Sequence, residues 1–274
     1  MAAELLVTKR VFKPWGRHHL WPAFADPAPD GGLVGEIWFE SPAWATAELL
    51  VKYLFTGEKL SVQVHPDDDQ AKAAGLCRGK DECWLVLAAE PDSSIVLGTK
   101  APTNAATLCA AALDHSIEAL LDWRAVKAGD FIYLPSNTIH AIGAGLTLVE
   151  VQQNSDTTYR LYDYGRDRPL HLEQGMAVAD PTPFIVQPIV GEVSPGRTIM
   201  VEGPKFVLER RTGGEHRLVL PADVNAWLVP LQGAGSVDGV AFMAGECVFL
   251  TGEARVEADA QSDWLLAYPG RKRI

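Results

Sequence analysis

The stretch Gly57-Glu-Lys-Leu-Ser-Val-Gln-Val-His-Pro-Asp-Asp68 combines a strand pattern with two candidate metal ligands. It predicts a turn, then a short strand, then a stop at the proline. Because side chains alternate between the two faces of a strand, Gln63 and His65 point to one side and the intervening valines to the other. One face of this strand therefore presents two potential ligands.

Two further stretches supply the rest of a metal site. Glu82 lies in Gly79-Lys-Asp-Glu-Cys-Trp84, and His140 lies in Pro135-Ser-Asn-Thr-Ile-His140. Two imidazoles, one carboxylate and one amide oxygen form a mixed nitrogen and oxygen set. Zinc accepts such ligands and keeps an open position for water or substrate.

The composition is typical of a globular chain that can build a full hydrophobic core. Of 274 residues, 47% are hydrophobic and 22% are charged, and the formal net charge is −11. This negative charge argues against nucleic acid or an anionic membrane surface as a partner. A phosphorylated ligand would need a local cluster of basic residues.

Cysteine usage predicts a reduced intracellular protein. The four cysteines, at positions 77, 83, 109 and 247, form no C-x-x-C pair. Residues 1–13 read as neither a signal peptide nor an anchor, and no apolar stretch is long enough to span a membrane. We therefore expect a cytoplasmic protein with no obligate protein partner.

Short alternating segments between turn residues predict a mainly β protein, either a barrel or a sandwich. Residues 1–22 read as a loop or edge strand, and residues 103–123 as an insert of two short helices with N-caps at Thr103 and Ser116. Prolines between positions 181 and 195 mark a linker before a second, smaller β unit. Strands are predicted over residues 35–40, 49–55, 62–65, 83–89, 94–98, 131–134, 138–141 and 146–152.

Two of these stretches resemble the two cupin motifs. Gly57 followed by Gln63-x-His65 resembles the first motif, with Gln63 in place of its first histidine. Gly129 followed by Pro135-x-Asn137 and His140 resembles the second, with Asn137 in place of a glycine. Asn tolerates a left-handed backbone better than most residues, so this exchange is mild.

The combination of four motifs is more specific than the two cupin motifs alone. Together with Gly79-Lys-Asp-Glu-Cys-Trp84 and Val151-Gln-Gln-Asn-Ser-Asp-Thr-Thr-Tyr-Arg-Leu-Tyr-Asp163, they resemble type I mannose-6-phosphate isomerases in their short bacterial form. The strong motifs cover residues 50–175. The resemblance implies two cupin-like jelly-roll β units: a metal-binding unit over residues 1–180, with a helical insert at about 103–123, and a smaller metal-free unit over residues 181–274.

The resemblance also implies a function and a site. The expected reaction is a zinc-dependent interconversion of mannose 6-phosphate and fructose 6-phosphate by enediol proton transfer. The implied zinc ligands are Gln63, His65, Glu82 and His140. The residues implied to line the substrate cleft are Lys52, Lys80, Glu150, Asp156 and Arg160.

The chemistry at the cleft residues leaves one role open. Arg160 can steady negative charge or bind a phosphate bidentately, and Lys52 and Lys80 can contribute to substrate binding. The proton-transfer base can be Asp156, Glu150 or Lys80, because each carries a group that can accept a proton.

Other functional classes also stay open. They are a cupin oxygenase with Fe(II), a non-catalytic sugar-phosphate-binding cupin, and an isomerase or epimerase of another phosphosugar. The ligand mix and the basic residues at positions 80 and 160 favour a phosphosugar over the oxygenase.

Overall fold

A computed structural model describes residues 3–21, 23–28, 30–270 and 272–274, and this part of the chain contains twenty strands and three α-helices. The helices are α1 (Asp68–Ala73), α2 (Ala105–Leu113) and α3 (Leu172–Val178), with a 3₁₀ turn at Ile117–Ala119. The strands in chain order are β1 (Ala3–Leu5), β2 (Val7–Arg17), β3 (Val34–Glu40), β4 (Leu49–Thr56), β5 (Val62–Val64), β6 (Glu82–Ala89), β7 (Ser94–Thr99), β8 (Leu121–Ala125), β9 (Phe131–Leu134), β10 (His140–Ile142), β11 (Leu146–Gln153), β12 (Tyr159–Tyr162), β13 (Gly191–Ser194), β14 (Arg197–Glu202), β15 (Phe206–Val219), β16 (Asn225–Gln232), β17 (Ala234–Val237), β18 (Val240–Met243), β19 (Val248–Thr251) and β20 (Glu253–Pro269).

The strands form three sheets whose pairings are all antiparallel. A six-stranded sheet has the order β2-β3-β4-β11-β6-β9, and a five-stranded sheet has the order β12-β5-β10-β7-β8. The nine-stranded sheet contains β13 to β20 together with β1, which pairs with β19. The mainly β prediction is confirmed. The division into units of 1–180 and 181–274 stays a prediction, and the first strand of the chain lies in the sheet of the second unit.

The six-stranded sheet lies between the other two, as the alternation along β11 shows. Leu148 packs in a core that also contains Ile95 and Ile142 of the five-stranded sheet. The neighbouring Val149 points the other way, into a core with Phe206 of the nine-stranded sheet. The strand is buried on both faces, and Glu150 shares the face of Leu148.

Helices α2 and α3 cover the outer face of the five-stranded sheet. Leu108 of α2 and Met176 of α3 pack in one core with Val62 and Val96 of the strands. None of the helices in the described ranges is long and apolar enough to cross a membrane. A cytoplasmic location stays a prediction.

The predicted helix starts in the insert need correction. Helix α2 is capped by Asn104, whose side chain accepts a hydrogen bond from the Thr107 N–H, and not by Thr103. Ser116 makes no side-chain cap and precedes a single 3₁₀ turn instead of a second helix.

The structure also bears on two other local predictions, the edge strand within residues 1–22 and the strand predicted to start at residue 138. Residues 7–17 form β2, an edge strand, while Pro22 lies outside the described residues. The strand predicted from residue 138 begins only at His140, because Asn137 adopts a left-handed turn with φ of 72°. That backbone explains why asparagine can stand where the cupin motif has glycine.

Candidate metal centre and cleft

Three strands bring the candidate ligands together. Gln63 lies on β5, and His65 is the first residue after that strand. His140 begins β10 and lies opposite Gln63 in the antiparallel pairing of β10 with β5. Glu82 begins β6 in the facing sheet. One ligand atom from each of His65, Glu82 and His140 lies within 4.8 Å of the others, and all three side chains are buried. This is the one group of three or more His, Cys, Asp or Glu residues with such spacing in the described part of the chain.

Backbone carbonyls orient the two imidazoles. His65 Nδ1 lies 2.8 Å from Thr157 O, and His140 Nδ1 lies 2.9 Å from Thr138 O. A carbonyl can only accept, so each Nδ1 must donate, and the Nε2 lone pair of each neutral ring faces the cluster. Burial and the Lys80 charge lower the pKa of His65 to about 3, and burial lowers the pKa of His140, so both rings stay neutral. Neutral imidazole is the form that binds metal.

The Glu82 carboxylate lacks ordinary hydrogen bonds. Its buried oxygens lie 3.5 Å from His65 Nε2 and 3.3 Å from His140 Nε2, and their one close cationic neighbour among the described residues is the Lys80 ammonium, 2.9 Å from Oε2. Burial raises the pKa of Glu82, but the charge of the Lys80 ammonium outweighs this and holds the pKa well below its usual range. A buried, ionised carboxylate between two imidazole lone pairs fits a divalent cation.

Gln63 lies beside this group but presents its nitrogen to it. Its Nε2 is 3.1 Å from His140 Nε2, and its Oε1 accepts a hydrogen bond of 3.3 Å from the Ser61 hydroxyl. Ligation through Oε1 would therefore require the amide to turn over. Lys80 lies on the other side, with Nζ 2.9 Å from Glu82 Oε2 and 3.1 Å from His65 Nε2.

A cleft of about 270 Å³ opens beside these residues, and every predicted substrate-contacting residue lines it. Its charged residues are five cations and three carboxylates, which gives a local excess of positive charge in a chain of net charge −11. The charged and polar lining comprises Lys13, Glu36, Lys52, Ser61, Gln63, Lys80, Glu150, Asp156, Thr158, Arg160 and Arg168.

Lys52 joins two buried carboxylates in the cleft. Its Nζ lies 2.7 Å from Glu150 Oε1 and 3.8 Å from Glu36 Oε2. Burial lowers the pKa of Lys52, but the charges of Glu150 and Glu36 outweigh this and raise it above its usual value. Lys52 therefore stays cationic. Trp84 Nε1 donates to Glu150 Oε2 at 3.0 Å, so Glu150 is held from two sides.

Arg160 keeps part of its guanidinium free. Its Nη1 donates to Pro169 O at 2.8 Å, while Nε is buried and makes no hydrogen bond. Burial and the nearby Arg168 lower the pKa of Arg160, yet a guanidinium remains charged at neutral pH. The carboxylate of Asp163 binds Arg168 instead, at 2.6 Å from both Nε and Nη2. Asp156 lines the cleft but is exposed.

Sequence reasoning missed three charged residues of the cleft. Glu36, Lys13 and Arg168 line it, and Lys13 Nζ lies 3.3 Å from Glu36 Oε1. Glu36 reads in the sequence as an outward residue of an alternating strand. Only its ion pair with Lys52 on the neighbouring strand, at 3.8 Å, identifies it as a cleft residue.

Comparisons with known proteins support the resemblance that the motifs predict. No family model matches the chain. A protein of Bacillus subtilis named "Probable mannose-6-phosphate isomerase GmuF" is 40% identical over 167 residues, which are 54% of this chain and 51% of that protein. The chain thus spans about half the length of the curated relatives it matches.

Solved structures match over nearly the whole chain. The mannose 6-phosphate isomerase of Bacillus subtilis has a TM-score of 0.81 at 24% identity, covering 97% of this chain and 99% of that one. A mannose 6-phosphate isomerase described as holo and zinc-bound has a TM-score of 0.71 at 13% identity, covering 98% and 100%. The resemblance to mannose-6-phosphate isomerases is confirmed, and the fold is the cupin-type fold of phosphomannose isomerases.

Proposed function

We propose that the chain is a zinc-dependent isomerase that interconverts mannose 6-phosphate and fructose 6-phosphate. The observation that carries this proposal is the position of the buried His65, Glu82 and His140 group next to a cleft with excess positive charge. Such a cleft suits a small anionic ligand, because a phosphate monoester carries nearly two negative charges at neutral pH. The names of the relatives agree with this substrate class.

The metal ligands in this proposal are His65, Glu82 and His140, with Gln63 beside them. Their donors are two neutral imidazoles and a carboxylate, which suit zinc and leave room for a further ligand. Bound zinc would supply a positive charge that polarises the hydroxyl and carbonyl oxygens of the sugar.

We assign the proton transfer to Glu150. It is buried, lines the cleft, and is oriented by Lys52 and Trp84, whereas Asp156 is exposed and Lys80 is tied to Glu82. Its carboxylate takes the proton from C2 of the open-chain aldose, the C–H electron pair becomes the C1=C2 bond, and the C1=O1 π pair moves to O1, which takes a proton from water. The enediol then gives the proton on O2 to water, the O2–H pair becomes the C2=O2 bond, and the C1=C2 pair takes the proton back from Glu150 at C1, which gives the ketose.

The cationic side chains hold the substrate in this assignment. Arg160 lines the cleft and carries a fixed charge, which suits a phosphate or a developing enediolate. Lys52 stays charged and keeps Glu150 in place.

The test is isomerisation of mannose 6-phosphate by the purified chain, before and after chelation and with zinc added back. Activity should fall on chelation and return with zinc. In D₂O, the product should carry solvent deuterium at the carbon that receives the proton. Glu150→Gln should retain zinc and lose both turnover and exchange, with exposed Glu40→Gln as the matched control. The proposal is overturned if the zinc-loaded chain neither converts mannose 6-phosphate nor exchanges the C2 proton of this sugar with solvent. Other phosphosugars would then be assayed.

A further inference from the structure

The turn between β14 and β15 reaches from the nine-stranded sheet toward the segment that carries Lys80 and Glu82. We call residues 203–206 the 203–206 turn. Lys205 Nζ donates to Asp68 Oδ2 at 2.6 Å, and the ring of Phe206 packs edge-on against Tyr133, with centroids 5.7 Å apart. A Cβ added at Gly203 would lie 3.0 Å from the Tyr133 hydroxyl, so this turn sits directly against that side chain.

The first contact continues from Asp68 to the backbone before Glu82. Asp68 Oδ1 accepts hydrogen bonds from the Gly79 N–H at 2.8 Å and from Gln153 Nε2 at 3.1 Å. Gln153 Oε1 in turn accepts from the Asp81 N–H at 2.9 Å, and the Gln153 N–H donates to Asp81 O at 2.9 Å. Lys205 therefore binds a carboxylate that holds the backbone before Lys80 directly, at Gly79, and the backbone after it, at Asp81, through Gln153.

The second contact continues from Tyr133 to the side chain of Asp81. The Tyr133 hydroxyl donates to Asp81 Oδ2, and Ser136 donates to Oδ1 through its hydroxyl and its N–H. Asp81 is buried and directly precedes Glu82, so its orientation sets where β6 begins. Groups that hold metal ligands from behind commonly tune metal affinity.

We propose that the 203–206 turn is a positioning element that fixes Lys80 and Glu82 through Lys205–Asp68 and Phe206–Tyr133–Asp81. This inference rests on the metal centre of the proposed function and gives the nine-stranded sheet a role in it. None of these turn residues touches the metal group or lines the cleft. Lys205 acts through Asp68, and Phe206 acts through Tyr133 on Asp81.

The test measures zinc affinity by competition with a chromophoric chelator, which does not depend on turnover. Lys205→Met should weaken zinc binding about fivefold, which corresponds to the ~1 kcal/mol upper value for a partly exposed ion pair. Tyr133→Phe, which removes one hydroxyl, should weaken it roughly tenfold. Lys205→Arg should restore wild-type affinity, and Lys205→Met should add nothing in an Asp68→Asn background.

The matched control is Arg217→Met, which breaks an ion pair of 2.6 Å with Glu253 on the same sheet, away from the site. It should leave zinc affinity unchanged within twofold, and the melting temperatures of the metal-free forms should show that every variant folds. If Lys205→Met does not fold, Tyr133→Phe alone decides. Zinc affinities of Lys205→Met and Tyr133→Phe within twofold of wild type would overturn the positioning role. If the zinc affinities change as predicted but the chain does not isomerise mannose 6-phosphate, the proposed function is wrong and the positioning role of the turn still holds.

Discussion

Replacing Lys52 by methionine tests the buried charges of the cleft. Methionine has a similar length and removes only the ammonium. Lys52 is 7% exposed, and its Nζ contacts Glu150 at 2.7 Å and Glu36 at 3.8 Å. At an effective dielectric constant of 20, these distances correspond to attractions of ~6 and ~4 kcal/mol.

The net loss is smaller than this attraction, because the wild-type ammonium also loses its hydration. Removing one partner of a buried pair leaves an uncompensated charge and costs about 3–5 kcal/mol. Lys13 still pairs with Glu36 at 3.3 Å, so the greater part of this cost falls at Glu150. We expect Lys52→Met to lower the free energy of unfolding by ~3 kcal/mol at pH 7.

The loss should depend on pH in a defined direction. The pKa of Lys52 is raised by folding, so its contribution is fully present below its usual value of 10.5 and is lost as pH rises through the folded pKa. The pKa of Glu36 is lowered, because Lys52 and Lys13 outweigh its burial, so its contribution is present above its usual value of 4.5 and lost as pH falls. The difference between wild type and variant should therefore be largest between these values and shrink in acid.

The measurement is urea unfolding of both metal-free proteins at pH 7 and at pH 4. Lys9→Met is the matched control, because Lys9 also lies over the Trp38 ring but is exposed and pairs with Glu40 at 3.7 Å. It should change the unfolding free energy by less than about 0.5 kcal/mol. A loss below ~1 kcal/mol for Lys52→Met at pH 7, or a larger loss at pH 4 than at pH 7, would refute the reasoning.

Three further substitutions test the site. His140→Ala should weaken zinc binding more than about 100-fold and abolish turnover, and retained metal with full activity would remove His140 from the ligands. Arg160→Ala should keep zinc and the melting temperature but lose about 100-fold in kcat/KM for mannose 6-phosphate, and an unchanged value would exclude Arg160 from the mechanism. Gly79→Ala should cost ~1–3 kcal/mol of stability and weaken zinc binding, because the added Cβ would lie 2.5 Å from the Asp67 carbonyl carbon; wild-type stability in urea would contradict this.

Local patterns predicted the candidate ligands. Strand alternation alone places Gln63 and His65 on one face, and the resemblance adds Glu82 and His140. The orientation of the Gln63 amide was not predictable, because it depends on Ser61 and on the distant His140. Local patterns predict which side chains share a face, and tertiary contacts decide what each one meets.

Glu36 shows why the cleft was predicted only in part. Glu36 and Glu40 have the same parity on β3, and both read as outward residues of an alternating strand. Glu36 is buried beside Lys52, whereas Glu40 is exposed and pairs with Lys9. We attribute the difference to the five-stranded sheet, which covers this face of β3 at Glu36 but not at Glu40. The sequence of β3 alone does not show where this cover ends.

Strand register sets the electrostatics of the proposed base. Lys52 on β4 lies opposite Glu150 on β11, and the next residues along each strand, Tyr53 and Val149, also lie opposite each other. Tyr53 and Val149 pack in the apolar core against the nine-stranded sheet, on the face away from the cleft. A slip of one residue would move apolar side chains into the cleft and the charges into that core, at a cost of several kcal/mol. The core between the two sheets therefore holds Lys52 against Glu150 without contacting either charge, and substitutions in it should alter the cleft through register.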